Sequence, residues 1–259
     1  MVKSLRMENI IRKYHSNIKK YLTKFNSYIQ FRIDTTKYII DKPSFHYQPL
    51  PWIGISKASV RGEATYERWE AIQNYLKGYK SLKDIGCCAG FFCHKAAETY
   101  NMNIIGIDSD ERFLRIAQYT KNNVKNGKNE TFCNMLINEK NADILPQTDV
   151  TILFSIWHHW CYRYGLNKAT EILKIVWSKT NHVLLFESGQ EELKKKFKLP
   201  FDKKASDWLW DYLSSNLKGV KIEKVGEFPI GTYKNYSLPD QLNIPLVDLK
   251  RTVFAIIKT

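Results

Sequence analysis

The strongest constraint on the fold comes after residue 81, where short apolar segments alternate with amphipathic segments of helical spacing. Buried strands are predicted over Ser81–Ile85, Asn103–Ile107, Thr131–Cys133, Val150–Ile156 and His182–Phe186. Helices are predicted between them, near residues 91–100, 110–122 and 168–178. Strands that alternate with helices form a mostly parallel sheet covered by helices on both faces. The sequence therefore predicts an α/β fold.

The C-terminal part extends this pattern. A helix is predicted over Ser206–Leu217, and two further strands over Lys221–Phe228 and Arg251–Ile257, which makes seven strands in all. A chain of 259 residues, 44% of them hydrophobic, buries enough surface to fold without disulfides or metals. Its longest apolar runs are far shorter than the roughly 20 residues of a membrane-spanning helix, so no membrane span is predicted.

Residues 1–78 are predicted to be a basic helical extension, and residues 79–259 the main domain. Apolar side chains recur at helical spacing within residues 8–30, namely Ile11, Tyr14, Ile18, Tyr21, Leu22, Phe25 and Ile29. We expect this face to pack on the domain, with the interleaved lysines in water. A substrate lid and a patch for an anionic partner are the alternatives.

The net charge of +14 raises the question of an anionic partner such as RNA. Lysine supplies most of the basic residues, and a surface poor in arginine argues weakly against RNA, because bidentate phosphate contacts prefer arginine. The N-terminus has no apolar secretion segment. The cysteine number is odd at five, which indicates reduced thiols. A cytoplasmic location follows as an expectation, whereas the oligomeric state is left open.

The most informative segment is the turn after the first predicted strand, Asp84-Ile-Gly-Cys-Cys-Ala-Gly-Phe-Phe92. A glycine turn lets the backbone approach a ligand closely, and the following helix offers its N–H groups. Asp108 ends the second strand, where a carboxylate can accept hydrogen bonds from ribose hydroxyls. A dinucleotide turn needs glycines where Cys88 and Phe91 stand. A nucleoside cofactor without a pyrophosphate is therefore favoured.

DIGCCAGFF resembles the first motif of class I S-adenosylmethionine-dependent methyltransferases. The resemblance implies a Rossmann-like fold, S-adenosylmethionine as cofactor and S-adenosylhomocysteine as product. It further implies that Asp84 and the turn hold the methionine part, that Asp108 and Ser109 hold the ribose, and that two residues after the third strand pack on the adenine. The expected cofactor-binding residues are Asp84, Gly86, Cys87, Cys88, Gly90, Phe91, Asp108, Ser109, Met135, Leu136 and Ser155. Capping of the next helix is the alternative role for Asp108 or Ser109.

The acceptor side is expected near Trp157-His-His-Trp160, which follows the fourth strand at the ligand edge of a parallel sheet. Imidazole titrates near neutral pH, so His159 or His158 is a candidate general base, with Glu187 as a further acid or base. The expected substrate-binding residues are Tyr47, Arg61, Arg68, Trp157 and Trp160. A structural loop is the alternative for the histidines, and a surface position is the alternative for the arginines.

The function predicted from these residues is methyl transfer to an oxygen or nitrogen nucleophile of a small molecule or glycan precursor. RNA methylation and a non-catalytic nucleoside- or RNA-binding scaffold are the alternatives. No metal site is predicted, because the cysteines and histidines lack ligand spacing.

Overall fold

The computed structural model describes residues 2–40, 47–57, 64–189, 193, 204–229 and 250–259. Its strands are β1 (Ser81–Ile85), β2 (Asn103–Asp108), β3 (Glu130–Asn134), β4 (Thr148–Phe154), β5 (Thr180–Glu187), β6 (Val220–Pro229) and β7 (Lys250–Lys258). Its helices are α1 (Val2–Ile40), α2 (Thr65–Ile72), α3 (Phe91–Tyr100), α4 (Glu111–Thr120), α5 (Trp157–Tyr164), α6 (Leu166–Ser178) and α7 (Ala205–Asn216).

In the described part of the chain, all seven strands belong to one sheet with the order β3-β2-β1-β4-β5-β7-β6. The first five strands are mutually parallel, and β7 runs antiparallel between β5 and β6. The predicted seven-stranded, mostly parallel α/β sheet is confirmed. Because β7 is antiparallel, its beginning lies beside the end of β5, where Glu187 pairs with Val253.

Helices cover both faces of the sheet, as the near-continuous apolar strands require. On one face α5, α6 and α7 pack in a core that includes Trp157, Ile172 and Leu209. On the other face α2 and α3 pack in a core that includes Trp69 and Phe91. Helix α2, which lies before residue 78, therefore shares the hydrophobic core of the main domain.

The N-terminal helix is longer than predicted and makes a different contact. It docks on α4 through Phe31, whose ring stacks on Tyr119 at 3.7 Å between centroids, and through Asp34, which accepts a 2.7 Å bond from Arg115 Nε. The expectation that Ile18, Leu22 and Phe25 pack on the domain is wrong, because these side chains are exposed. The side chain of Ile11 lies outside the described residues.

Residues 31–38 and 47–55 reach the turn that follows β1. The side chains of Phe31, Tyr38, Leu50 and Ile55 form one buried cluster with Cys88 and other residues. The N-terminal part of the chain thereby packs directly against the glycine turn. No helix within the described ranges is both long and apolar enough to cross a bilayer.

Candidate active site

The turn between β1 and α3 is built around residues with positive φ. Gly86 and Gly90 have φ of 80° and 87°, and Cys88 has φ of 52°. The amides of Gly86 and Cys87 both donate to the carbonyl of Ile107, at 2.7 and 3.1 Å, which ties the turn to β2. A Cβ on Gly86 would lie 2.2 Å from Cδ1 of Ile156. Only glycine fits there without a shift of Ile156, and the end of β4 therefore lies against the turn.

The side chains of the turn point into the core. Cys87, Cys88 and Phe91 are buried, so this turn faces the site with its backbone rather than with thiols or a ring. The five cysteines of the chain, all within the described residues, form no disulfide. Among the described residues, no group of three or more His, Cys, Asp or Glu side chains is suited to hold a metal ion.

Asp84 is a buried carboxyl at the start of the turn. Its Oδ2 accepts a 3.6 Å hydrogen bond from Sγ of Cys93. Burial raises the pKa of Asp84 to about 7, the Cys93 bond lowers it, and the nearby Asp108 carboxylate adds a smaller upward effect. A cation next to this group would favour its charged form, so Asp84 is suited to a positively charged ligand.

Asp108 lies at the end of β2 and faces the turn. Its carboxylate accepts hydrogen bonds from the amides of Cys88 at 2.8 Å and Asp110 at 2.9 Å. Burial raises the pKa of Asp108, while the two backbone bonds lower it. An ionised carboxylate has about four acceptor sites, so two more donors, such as ribose hydroxyls, can be accommodated.

Helix capping is performed by a neighbour of Asp108. Asp110 is the N-cap of α4, and its side chain accepts from the amide of Arg112 at 2.9 Å. The capping role that was the alternative for Asp108 or Ser109 therefore belongs to Asp110. Ser109 is exposed beside Asp108.

Apolar side chains follow β3 at the same edge. The amide of Met135 donates to the carbonyl of Asp108 at 2.9 Å, which places Met135 beside the end of β2. Leu136 is 42% exposed. These two residues offer apolar surface near Asp108, as a flat adenine ring requires.

Gln48, which was not among the predicted site residues, completes the turn. The side chain of Gln48 accepts a 3.1 Å bond from the amide of Phe91, the first residue of α3. Tyr38 holds Gln48 by two 2.9 Å bonds, one to its carbonyl and one from its amide. Tyr47 is half-buried and packs against the same cluster. No local signal marks Gln48, because its partner lies 43 positions away.

A buried polar cluster lies at the ends of β4 and β5. Arg68 donates from Nε to one oxygen of Glu187 at 2.6 Å, and Ser155 donates from Oγ to the other at 2.7 Å. Arg251 in turn donates from Nη1 to Oγ of Ser155 at 3.0 Å. Both oxygens of Glu187 are thus engaged, and Glu187 positions Ser155 and Arg68.

Ser155 has the left-handed backbone that non-glycine residues rarely adopt, with φ of 57°. Its amide donates to the carbonyl of Glu187 at 2.9 Å, which holds this conformation. Strained backbone of this kind costs on the order of 1–3 kcal/mol and clusters at functional sites. Ser155 was expected among the cofactor-binding residues, and its hydroxyl lies between Glu187 and Arg251. The cluster is therefore a candidate for the acceptor side of the site.

Arg251 was also missed, although a signal for it exists. It begins the predicted strand Arg251–Ile257, and a charged side chain at the start of an apolar segment needs a partner at that end of the sheet. The partner becomes identifiable only from the antiparallel pairing of β7 with β5, which places Arg251 beyond Glu187. A prediction of seven strands from the sequence does not determine their order in the sheet.

The two histidines differ in their surroundings. They lie in α5, so a helix begins at Trp157 in place of the structural loop that was the alternative for these histidines. His158 is buried, and its Nδ1 accepts a 3.0 Å bond from the amide of Gly189. The neutral ring therefore carries its proton on Nε2. His159 is exposed, with its ring 4.1 Å from that of His158.

The other residues expected to bind substrate lie in different parts of the structure. Trp157 is fully buried and donates from Nε1 to the carbonyl of Ala169 at 3.1 Å. Trp160 is also buried in the core beneath α5. Arg61 lies outside the described residues. Of the expected substrate residues that the structure describes, Arg68 joins the polar cluster.

Comparison with known proteins places this geometry in a known fold. No protein-family model and no curated protein matches the chain. A structure of the bifunctional kinase-methyltransferase WbdD superimposes with a TM-score of 0.57 at 17% identity, over 85% of this chain and 45% of that chain. Monomeric WbdD gives a TM-score of 0.55 at 18% identity, over 86% and 48%.

The chain thus spans about half the length of the WbdD chains it matches. At this level of identity the likeness shows the fold. Together with the sheet order β3-β2-β1-β4-β5-β7-β6, it identifies the Rossmann-like fold of class I methyltransferases.

Proposed function

We propose that this chain is an S-adenosylmethionine-dependent methyltransferase that acts on an oxygen or nitrogen nucleophile of a small molecule or glycan precursor. The observation that carries the proposal is the meeting of two groups of residues at one sheet edge. The glycine turn with Asp84 and Asp108 forms one side, and Ser155 with His159 follows the adjacent strand β4. Ile156 touches Gly86 and joins the two sides.

The residues of the first side suit this cofactor in charge and shape. Asp84 would face its cationic methionine part, Asp108 would accept from its ribose hydroxyls, and Met135 with Leu136 would pack on its adenine. The left-handed turn at Gly86 and Gly90 brings bare backbone to the ligand. When bound, S-adenosylmethionine supplies an electrophilic methyl group on a sulfonium.

The second side would orient the nucleophile and receive its proton. Methyl transfer is an in-line displacement, so holding the acceptor in place supplies much of the rate. Arg251 and Glu187 fix the Oγ of Ser155, which gives the acceptor a rigid polar contact. His159 is the better candidate for a general base, because the Nδ1 of His158 is engaged by Gly189. Ile156 would keep water from the turn.

Cofactor binding is tested directly with S-adenosylmethionine and S-adenosylhomocysteine. Each should raise the melting temperature of the full chain and give binding heat in calorimetry, because a ligand of the native state stabilises it. The Asp108→Ala variant should bind at least about tenfold more weakly, since hydrogen bonds to a charged group are worth roughly 1.5–3 kcal/mol each.

Asp110→Ala is the matched control, two residues away. It removes the cap of α4 and should cost about 1 kcal/mol of stability, while cofactor affinity stays within about twofold. If neither cofactor form binds the wild-type chain, the proposal fails. If the two variants lose affinity equally, Asp108 acts only through the fold of the turn.

Transfer itself is tested with S-adenosylmethionine that carries an isotope-labelled methyl group. The enzyme is incubated with fractionated small molecules and glycan precursors, and mass spectrometry identifies compounds that gain the label. If the label is found in RNA instead, RNA is the methyl acceptor and the small-molecule acceptor is wrong.

A further inference from the structure

Helix α1 carries two different faces. Its contact with the domain is made by Phe31, Asp34 and Tyr38, which are buried. At about 100° per residue, these three side chains share one side of the helix. Asp34 is paired with Arg115 of α4, and Phe31 stacks on Tyr119. The last third of the helix is thereby held in a defined orientation.

An apolar stripe lies on roughly the opposite side of the helix. We define it as Ile18, Tyr21, Leu22, Phe25 and Ile29, which are between 41% and 75% exposed. At helical spacing they fall within a sector of about 100°. Because the domain is attached on the other side, the stripe faces away from the described part of the domain.

A cationic face accompanies the stripe. We define it as Arg12, Lys13, Lys19, Lys20 and Lys24, all of which are exposed. These side chains lie outside the apolar sector, and residues 12–30 contain no Asp or Glu. The segment covers about 28 Å of helix. A helix with aliphatic and aromatic residues on one side and cations around them is typical of peptides that lie in a membrane interface.

We infer that residues 12–30 bind the surface of an anionic lipid bilayer, with the apolar stripe inserted and the cations that border it, Lys19 and Lys24, nearest the lipid phosphates. This inference is independent of the proposed methyl transfer. It explains why apolar side chains are exposed on one side of the helix and cations on the rest of its surface, since acyl chains cover the stripe and acidic headgroups complement the charge.

Two other partners fit these observations less well. A second copy of the helix would bring two sets of five cations together, without the acidic residues that form salt bridges between paired helices. RNA would satisfy the cations, and bases stack on aromatic rings. It would leave Ile18, Leu22 and Ile29 in water, however, because aliphatic side chains offer no stacking surface.

The test is co-sedimentation of the full chain with vesicles. We expect binding to phosphatidylcholine vesicles that contain about 30% phosphatidylglycerol, and at least tenfold weaker binding to pure phosphatidylcholine. The double variant Leu22→Ser/Phe25→Ser should bind vesicles at least tenfold more weakly. Insertion of each apolar side chain by itself accounts for about a tenfold gain in affinity or more. Asn17→Ser/Thr23→Ser, exposed and outside the stripe, is the matched control and should bind like wild type.

A charge variant separates the contribution of the cations to vesicle binding from that of the apolar stripe. Lys19→Gln/Lys20→Gln/Lys24→Gln should weaken vesicle binding by about fivefold per lysine and make it less dependent on salt. All substituted side chains are exposed, so melting temperatures should stay within about 2 °C of wild type, and losses of binding are then not losses of fold.

Three results would overturn the inference. The first is no binding to anionic vesicles, or binding that Leu22→Ser/Phe25→Ser leaves unchanged. The second is a wild-type dimer in sedimentation velocity that the same double variant converts to monomer, which assigns the stripe to a second copy. The third is tighter binding of a 30-nucleotide single-stranded RNA than of vesicles, lost in the lysine variant alone.

Discussion

The guanidinium of Arg68 donates a 2.6 Å hydrogen bond to the carboxylate of Glu187, although the two residues are 119 positions apart. Both side chains are almost completely buried. The pair connects α2, which precedes the sheet, to the end of β5. The second carboxylate oxygen of Glu187 accepts from Ser155, so the carboxylate that anchors α2 also holds the residue that follows β4.

The first prediction concerns this buried pair. Arg68→Met strands the carboxylate of Glu187 and should lower the free energy of unfolding by about 3–5 kcal/mol, because an unpaired buried charge is strongly unfavourable. The double variant Arg68→Met/Glu187→Gln should lose less free energy of unfolding than Arg68→Met and Glu187→Gln lose together. Urea denaturation of all four proteins measures the coupling. Additive effects would mean that the two groups do not interact in solution.

The second prediction uses the pKa of Asp84, which burial raises to about 7. A cationic ligand favours the carboxylate. Affinity for S-adenosylmethionine should therefore rise by up to about tenfold per pH unit between pH 5.5 and 7, and level off above pH 8. Calorimetry across this range checks the slope. Asp84→Asn should bind weakly at every pH, and a slope that survives in this variant would assign the proton to another group.

The third prediction separates the two histidines, with labelled methyl transfer to the identified acceptor as the measurement. His159→Ala should lower the transfer rate by about 10²–10⁴, the usual contribution of a positioned base, and leave the melting temperature unchanged. The loss should be smaller at high pH, where the acceptor ionises unaided.

His158→Ala serves as the comparison for that variant. It leaves the buried amide of Gly189 without an acceptor, so it should lower stability by about 1–3 kcal/mol. Full transfer activity in His159→Ala would show that no histidine base at this position is needed.

The fourth prediction concerns Lys83, which lies buried within β1 and donates to the carbonyls of Pro146 and Lys179 and to Oγ1 of Thr148. Burial, with smaller effects from the cations of Lys258 and Lys179, lowers its pKa to about 7. Its ordinary pKa is about 10.5, so between pH 7 and 10 the unfolded chain binds more protons than the native protein. Stability should therefore rise with pH in this window.

Urea denaturation between pH 6.5 and 10 measures that rise. Lys83→Met should flatten the profile, whereas Lys77→Met, at an exposed position, should leave it unchanged. A profile that stays equally steep in Lys83→Met would assign the titration to a different group.

The fifth prediction compares two phenylalanines of α1. Phe31 is buried against Tyr119, so Phe31→Ala should destabilise the protein by about 3–5 kcal/mol. Phe25 is exposed, six residues earlier, and Phe25→Ala should change stability by no more than about 0.5 kcal/mol. Thermal denaturation of both variants gives the comparison. Equal destabilisation would show that the apolar stripe packs on the domain after all.

Much of the local structure was predictable from sequence, because its causes are local. The apolar run at Ser81–Ile85 and the helix over residues 91–100 were predicted with the boundaries that the structure has. The glycine turn between them and Asp108 were predicted together, since their spacing along the chain follows from one strand, one turn and one helix.

Other features depend on contacts between distant segments. Helical periodicity identified the apolar face of α1 but not the face that docks, because Phe31, Asp34 and Tyr38 are selected by the surface of α4 rather than by their own spacing. The apolar run at Val150–Ile156 did not indicate that a helix begins directly after it at Trp157. The indole of Trp157 donates to the carbonyl of Ala169, a contact between two helices.

The sequence by itself therefore determined the seven strands in chain order and the position of the glycine turn, because hydrophobic periodicity and glycine spacing act over a few residues. The tertiary structure alone decided that Gln48 binds the start of α3, that Arg251 and Arg68 converge on Ser155 and Glu187, and that His158 is buried beside exposed His159. These arrangements follow from strand order and from the buried polar groups' need for partners, which one-dimensional spacing does not encode.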